Sequence, residues 1–213
     1  MPQPVSKRIE VTGVSNQAFL ERHARPGRIG LAGGGHLLER IIRKAQRHIV
    51  PSGTSSDWSH AFLFSGRRAD GHQWVLESDL DIVRKHVRFG VQENRMAKYF
   101  KPKAYPLLAV LDLGLTPEQT RGVLAGGLEL LSTRAPYSVR ELAGTLLAMR
   151  HPRLRERQNL LAREGSLYCS AFVQHCFRRI GIDLAPGLSE KNTTPQDIAV
   201  TAVPHTCYIL RDT

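Results

Sequence analysis

The segment SLYCSAFVQHCF, residues 166–177, places a cysteine where an apolar helical pattern begins. Apolar residues recur at spacings of three and four from 169 to 180, which predicts an amphipathic helix. Ser166 is a favourable N-cap, so Cys169 is predicted to lie in the first turn. Free backbone N–H groups and the positive end of the helix dipole stabilise a thiolate there, and the same N–H groups can bind an oxyanion. Cys169 is therefore a candidate nucleophile, with a small buried side chain as the alternative.

A thiol nucleophile needs a base, and His60 is the candidate because it interrupts the apolar strand WSHAFLF (58–64). A polar ring among aromatic side chains is costly unless it is paired. If this strand and QWVLES (73–78) form a hairpin symmetric about GRRADG, Glu77 lies directly opposite His60. Its carboxylate can then bind one imidazole nitrogen and leave the other for the thiol. A purely structural pair is the alternative. His72 is the rival third residue, but this register puts it at the turn.

The other patterns predict helices on both sides of antiparallel strands, which is typical of the α+β class. Residues 1–25 are expected to be a loose N-terminal leader, and 26–213 a single domain. Further strands are predicted over 83–89, over 105–113 and in TCYIL. Helices are predicted in HLLERIIRKAQRHI and TTPQDIA. Two more helices are predicted from their caps, one after Thr116 and one in SVRELAGTLLAM, where Ser138 and Glu141 form a capping box.

Composition limits the classes of protein that need be considered. The 213 residues are 41% hydrophobic, without an apolar run of the roughly 18 residues that span a membrane. The start MPQPVSKRIEV lacks the apolar core of a signal peptide, so a soluble cytoplasmic protein is expected, and export without a cleavable signal stays open. Three cysteines do not make a disulfide framework. The net charge of +11 favours contact with an anionic polymer or membrane surface; no specific nucleic acid is expected.

The ordered set SHAFLF, WVLES, LYCSAFVQHCF and TTPQDIA resembles the circularly permuted papain-like cysteine hydrolases of the NlpC type. Bacterial YiiX-like proteins look most similar, and lecithin:retinol acyltransferase is a more distant relative. The resemblance covers about residues 26–212. It implies a permuted papain-like fold, an antiparallel sheet or small barrel packed against helices. Cys169 would be the nucleophile, His60 the base and Glu77 the residue that orients the base. Tyr168 stands where several unpermuted members have an aspartate.

The same resemblance implies a thiol hydrolase that works through an acyl-enzyme, first of all an amidase or peptidase acting on peptide or cell-wall-type amides. A lipid acyltransferase or esterase with the same triad is the alternative, and a non-catalytic basic binding protein is a third possibility. Trp58, Tyr137 and Tyr168 are candidate substrate contacts, for which core packing is the competing interpretation.

No cofactor or metal is expected. His60, His72, Cys169 and Cys176 are zinc-ligand types, but their spacings match no common zinc pattern. The loop GLAGGGH (30–36) precedes a predicted helix, yet it lacks the spacing and the lysine of a phosphate-binding loop. It is interpreted as a turn. Cys176 and Cys207 are predicted to be structural.

Overall fold

A computed structural model describes residues 6–81, 88–135, 143–145, 148–149, 152–156 and 167–211. These residues confirm the α+β class: seven strands form one sheet, and helices pack on it. The strands are β1 (Lys7–Val11), β2 (Ile29–Gly33), β3 (His60–Arg67), β4 (Gln73–Asp81), β5 (Arg88–Arg95), β6 (Leu107–Asp112) and β7 (Thr206–Arg211). The helices are α1 (Asn16–His23), α2 (Leu37–Ala45), α3 (Pro117–Ser132), α4 (Pro152–Glu156), α5 (Cys169–Arg178) and α6 (Pro195–Ala199), with 3-10 turns at Gln46–His48, Met96–Phe100 and Glu190–Asn192.

The sheet is mixed and open. Its strand order is β1-β7-β6-β2-β3-β4-β5, so β1 and β5 form the two edges. β1 runs parallel to β7, and the other neighbouring pairs are antiparallel. The expectation of an antiparallel sheet or small barrel is therefore corrected at one edge: the first strand lies beside the last and does not close a barrel. The antiparallel β2, β3 and β4 carry the candidate site.

The predicted leader is corrected as well, because residues 7–23 provide an edge strand and a packed helix. α1 begins after the N-cap Ser15 and buries Phe19 and Leu20 in the core. Asn16 ties this helix to the turn after β5 by donating to the backbone oxygen of Tyr99 over 3.0 Å. With only eight residues, α1 is too short for its apolar spacing to stand out in the sequence.

Two apolar layers sandwich the sheet. On one face, Phe172 and Phe177 of α5 pack with Leu76 of β4 and with Val123 of α3. On the other, the side chains of α1 and of the Met96–Phe100 turn form a cluster with Phe62 of β3. The alternating side chains of β3 and β4 thus face α5 at one residue and the opposite layer at the next.

Most of the other predicted elements are confirmed. The helix after Thr116 is α3, whose cap includes Thr116 and Gln119, and the TTPQDIA helix is α6, capped by Thr194. The strand predicted over 83–89 begins as β5 at Arg88, while 83–87 lie outside the described residues. The predicted capping box of Ser138 and Glu141 also lies outside them. Within the described ranges, no helix combines the length and the apolar character needed to cross a bilayer.

Candidate active site

The hairpin that carries the candidate base has a β-bulge, and its register differs from that of the symmetric hairpin. Phe64 pairs with Val75, where the symmetric hairpin predicts Gln73, and the irregularity lies between Phe64 and Gly66. Gly66 has φ of +104°, a conformation that favours glycine. Glu77 is therefore not directly opposite His60. The shift is two residues, however, and side chains alternate with a period of two, so both residues remain on the same face.

Glu77 and His60 nevertheless meet. Nε2 of His60 lies 2.7 Å from Oε2 of Glu77, and the two side chains are 11% and 0% exposed. The carboxylate also accepts hydrogen bonds from the Tyr99 hydroxyl at 2.5 Å, the Asn94 amide at 2.7 Å and the Lys98 ammonium at 2.8 Å. The His60 ring stacks on the ring of Tyr99. Four donors on one buried carboxylate fix its position and, through it, the orientation of the imidazole.

The electrostatics of the cluster favour its charged forms. Burial alone would raise the pKa of Glu77, but Lys98 and His60 outweigh it and hold that pKa well below its usual range. Burial would likewise lower the pKa of His60. The Cys169 sulfur, followed by the carboxylates of Glu77 and Asp79, instead raises it well above 6.5. The imidazole is therefore suited to hold a proton taken from a thiol.

Cys169 reaches His60 from the opposite side of the sheet. It is 4% exposed and lies in the apolar layer of α5, and its sulfur is close enough to the imidazole to raise the pKa of His60. Since Nε2 of the ring is bound to Glu77, Nδ1 is the nitrogen left for the sulfur. The structure thus brings together the three residues that the sequence predicts as nucleophile, base and orienting group.

The start of α5 differs from the prediction. Its N-cap is Tyr168, and Cys169 is its first helical residue, whereas Ser166 lies outside the described residues. The first intrahelical bond runs from the Phe172 N–H to the Tyr168 carbonyl over 2.9 Å. The N–H groups of residues 169–171 precede that bond, so they point beyond the helix end, where an oxyanion beside the sulfur can accept from them.

Hydrogen bonds from neighbouring segments hold the helix start in place. Ser78 of β4 donates to the Leu167 carbonyl over 2.6 Å. The hydroxyls of Tyr168 and Ser170 both donate to the Thr193 carbonyl over 2.7 Å. Adjacent residues of β4 therefore position both halves of the site: Ser78 fixes the cysteine segment on one face, and Glu77 fixes the imidazole on the other.

The Ser78 anchor gives a testable prediction. Ser78→Ala leaves a buried carbonyl without its partner, so we expect the free energy of unfolding to fall by about 1–3 kcal/mol. Urea denaturation measures the change. Ser65→Ala is the matched control, because the buried Ser65 hydroxyl has no hydrogen-bond partner among the described residues, and its loss is expected to be nearly neutral. Equal effects of the two variants would contradict the anchoring role.

The candidate substrate contacts receive less support. Tyr168 is 1% exposed, and its hydroxyl is bonded to the interior carbonyl of Thr193, so its side chain is structural. Trp58 is also buried, and it lines a cavity of about 480 Å³ between the β1–β7 edge and α6 whose lining does not include Cys169, His60 or Glu77. Tyr137 lies outside the described residues.

The other two cysteines are free and buried, as predicted. Burial raises the pKa of Cys176 far above its usual value, and burial also raises the pKa of Cys207 to about 11. Neither thiol is thereby suited to act as a nucleophile at neutral pH. His72 is exposed at the hairpin turn, away from the triad, which agrees with the preference for Glu77 as third residue.

Three members of the cluster were not predicted. Asn94, Lys98 and Tyr99 follow one another closely, at the end of β5 and in the 3-10 turn after it. Nothing in the sequence RMAKYF indicates a contact with Glu77, which lies on the neighbouring strand β4. A lysine after a strand usually extends into water. Only the β4–β5 pairing reveals that this one points at a buried carboxylate.

A metal ion is the rival occupant of this cluster. Possible ligand atoms of His60, Glu77 and Asp79 lie within 4.8 Å of one another. The Lys98 ammonium, however, already bonds to both carboxylates, and its pKa is held high: burial would lower it, but Glu77 and Asp79 outweigh burial. A divalent ion would have to displace this cation. The donor set therefore fits a lysine-bridged carboxylate pair better than a metal centre.

Neither a family model nor a curated protein sequence matches the chain. Its functional interpretation therefore depends on the geometry of its own residues.

Proposed function

We propose that this protein is a cysteine hydrolase of permuted papain-like fold, with Cys169 as nucleophile, His60 as general base and Glu77 as the residue that orients the base. One observation carries the proposal: a buried imidazole is hydrogen-bonded to a buried carboxylate, and the sulfur of a first-turn cysteine lies near enough to raise the pKa of the same imidazole. Nucleophile, base and orienting group in this order are the arrangement that covalent thiol catalysis needs.

The reaction follows from the geometry. His60 takes the thiol proton, and the Cys169 sulfur attacks the substrate carbonyl, whose oxygen becomes negative. Backbone N–H groups at the start of α5 stabilise this oxyanion. The tetrahedral intermediate expels its amine or alcohol, which takes the proton from His60, and a thioester remains on Cys169. A water molecule then gives a proton to His60 and attacks the thioester, releasing a carboxylic acid and restoring the thiol.

A peptide or cell-wall-type amide is the substrate class we propose first, since a thiolate–imidazolium pair can both attack an amide carbonyl and protonate the amine that leaves. A lipid ester, cleaved or transferred by the same triad, is the second candidate. It is favoured by the exposed apolar side chains of Leu37, Leu38 and Ile41 on α2, the helix that follows the strand paired with His60.

Thiol labelling tests the proposal and separates it from a non-catalytic basic binding protein. Native protein is treated with iodoacetamide between pH 5 and 9, and the labelled sites are mapped by mass spectrometry. We expect Cys169 to react first, below the ordinary thiol pKa of about 8.5. Uniform reactivity of the three cysteines would favour the binding protein.

A substrate panel then addresses turnover directly. Aryl esters and peptide anilides of different acyl groups are mixed with the enzyme, and the intact mass is followed. The expected result is one acyl group on the native chain and none on Cys169→Ala. Acyl groups that appear equally on both chains would count against the proposed nucleophile.

A further inference from the structure

α2 exposes large apolar side chains that remain unburied in the folded chain. Leu37 is 74% exposed, Ile41 47% and Leu38 36%. Leu37 and Ile41 are four residues apart, so they lie together on one side of the helix. Exposed leucines and isoleucines occur singly on most surfaces, but three within five residues form a patch that calls for a partner.

Cations border this patch. At 100° per residue, Arg40 and Lys44 follow each other along the helix edge beside Leu37 and Ile41, and Arg43 lies farther round. The one acidic residue of the helix, Glu39, accepts a hydrogen bond from the His36 N–H in the capping box. On the exposed surface of α2, a row of apolar side chains thus lies beside a row of cationic side chains.

The exposed face is held outward by bonds on the opposite side of the helix axis. Gln46, in the turn that continues α2, is fully buried and donates to the Trp58 carbonyl over 2.6 Å. Its side-chain oxygen accepts from the Gln196 N–H over 2.9 Å. Ile42 is buried, and Arg43 donates to the Ser56 carbonyl over 2.9 Å. With these contacts in place, Leu37 and Ile41 cannot turn inward.

We propose that α2 is a membrane-docking helix that inserts Leu37 and Ile41 into an anionic lipid surface, where Arg40 and Lys44 bind headgroup phosphates. A basic amphipathic helix with apolar side chains on one face has the character of interfacial helices. The net charge of +11 attracts the whole chain to such a surface. This inference does not depend on catalysis by Cys169.

A second copy of the chain is a less favourable partner for the apolar patch of α2 than a membrane, for two reasons. Two α2 faces brought together would place Arg40 and Lys44 against the same cations of the other copy, which is repulsive. The area of three side chains is also far below the roughly 1,600 Å² of a standard protein interface.

A concavity of about 440 Å³ along the helix, lined by Leu37, Ile41 and the cations, is open enough for a lipid headgroup.

The position of α2 matters for the rest of the molecule. The helix follows β2 after the short loop Gly34–His36, and Ala32 of β2 pairs with His60. A membrane bound by α2 would therefore lie near the end of the sheet at which the imidazole is held.

Vesicle sedimentation tests the proposal. Full-length protein is mixed with vesicles of phosphatidylcholine alone or of equal parts phosphatidylcholine and phosphatidylglycerol. We expect binding to the anionic vesicles, weaker binding as salt is raised, and at least about a tenfold loss of affinity in Leu37→Glu/Ile41→Glu. Val200→Glu is the matched control, because Val200 is 63% exposed and lies outside α2. It should bind as the native chain does.

A further variant separates the cations from the apolar line. Arg40→Glu/Lys44→Glu should weaken binding to anionic vesicles, and all variants should keep the native circular dichroism spectrum since the altered side chains are largely exposed. Native-like binding by Leu37→Glu/Ile41→Glu would overturn the proposal and leave only diffuse charge attraction. Absence of vesicle binding by the native chain, or self-association abolished by the same double substitution, would overturn it as well.

Discussion

Replacing His60 with alanine is expected to slow the alkylation of Cys169 at pH 6 by about tenfold, the net of two opposing effects. An ordinary thiol is only about 0.3% ionised at pH 6, whereas cysteines paired with an imidazolium are in general largely ionised, so the proposed mechanism implies a gain of roughly 100-fold. A thiolate stabilised in this way is the weaker nucleophile, which reduces the gain by about tenfold. The ionised fraction therefore dominates the rate.

The pH profile is the sharper measurement. His60 has a raised pKa in the folded protein, so its proton persists as the pH rises above 6.5. The native rate should change little between pH 6 and 7.5, while the rate for His60→Ala should increase by about tenfold per pH unit, as for an unassisted thiol. Labelling of the buried Cys176 in the same samples reports any unfolding.

His72→Ala provides the matched control, since His72 is an exposed histidine of the hairpin turn. It should leave both the rate and the profile unchanged. A flat profile that survives in His60→Ala would show that the helix start alone activates the sulfur, and the role of His60 as base would be wrong.

Local patterns explain why parts of the site could be predicted from sequence. The apolar spacing of α5 is set by helix geometry, and each of residues 169, 172, 173, 176 and 177 is buried as that spacing requires. His60 could be predicted as a site residue because a polar ring in an apolar strand needs a partner. Both signals lie within a dozen residues of chain, the range over which backbone periodicity governs burial.

Such local patterns could not predict the register of the hairpin. Next to the turn, Arg67 pairs with Gln73, three residues away from the symmetric register, and the bulge between Phe64 and Gly66 reduces this offset to two. No rule of alternation places a bulge in advance. Glu77 does contact His60, as predicted, because a shift of two residues keeps both side chains on the same face of the sheet. The direct pairing of the two residues, from which the contact was predicted, was wrong. A shift of one residue would have put the carboxylate among the side chains that face α5.

Long-range contacts account for the remaining misses. Lys98 and Tyr99 reach Glu77 from a turn beyond the next strand, and β1 joins a strand at the other end of the chain. Such neighbours follow from strand order, which short sequence windows do not encode. The two residues of β4 that organise the site, Glu77 and Ser78, illustrate the difference: alternation predicts their opposite faces, but only the fold supplies their partners.

The largest effect on stability is expected for Glu77→Gln. The substitution removes the charge of a fully buried carboxylate that accepts four hydrogen bonds and leaves the Lys98 ammonium with one fewer counter-charge. Breaking a buried pair in this way typically costs about 3–5 kcal/mol, and the remaining bond from Lys98 to Asp79 favours the lower end. Glu10→Gln, at the exposed pair with Arg8, is the matched control and should cost about 1 kcal/mol or less.

The pH dependence of that difference identifies its cause. Because the pKa of Glu77 is lower in the folded chain than its usual value of 4.5, its charge stabilises the fold at neutral pH. That contribution is fully present above pH 4.5 and is lost as the pH falls below it. The gap in unfolding free energy between the native chain and Glu77→Gln, measured by urea denaturation, should therefore narrow in acid. A second variant, Glu77→Gln/Lys98→Met, should regain part of the loss at neutral pH, since it no longer buries a cation that has lost one of its two carboxylate partners. If Glu77→Gln cost no more than Glu10→Gln, the carboxylate would not organise the cluster, and the fixed orientation of His60 would need another source.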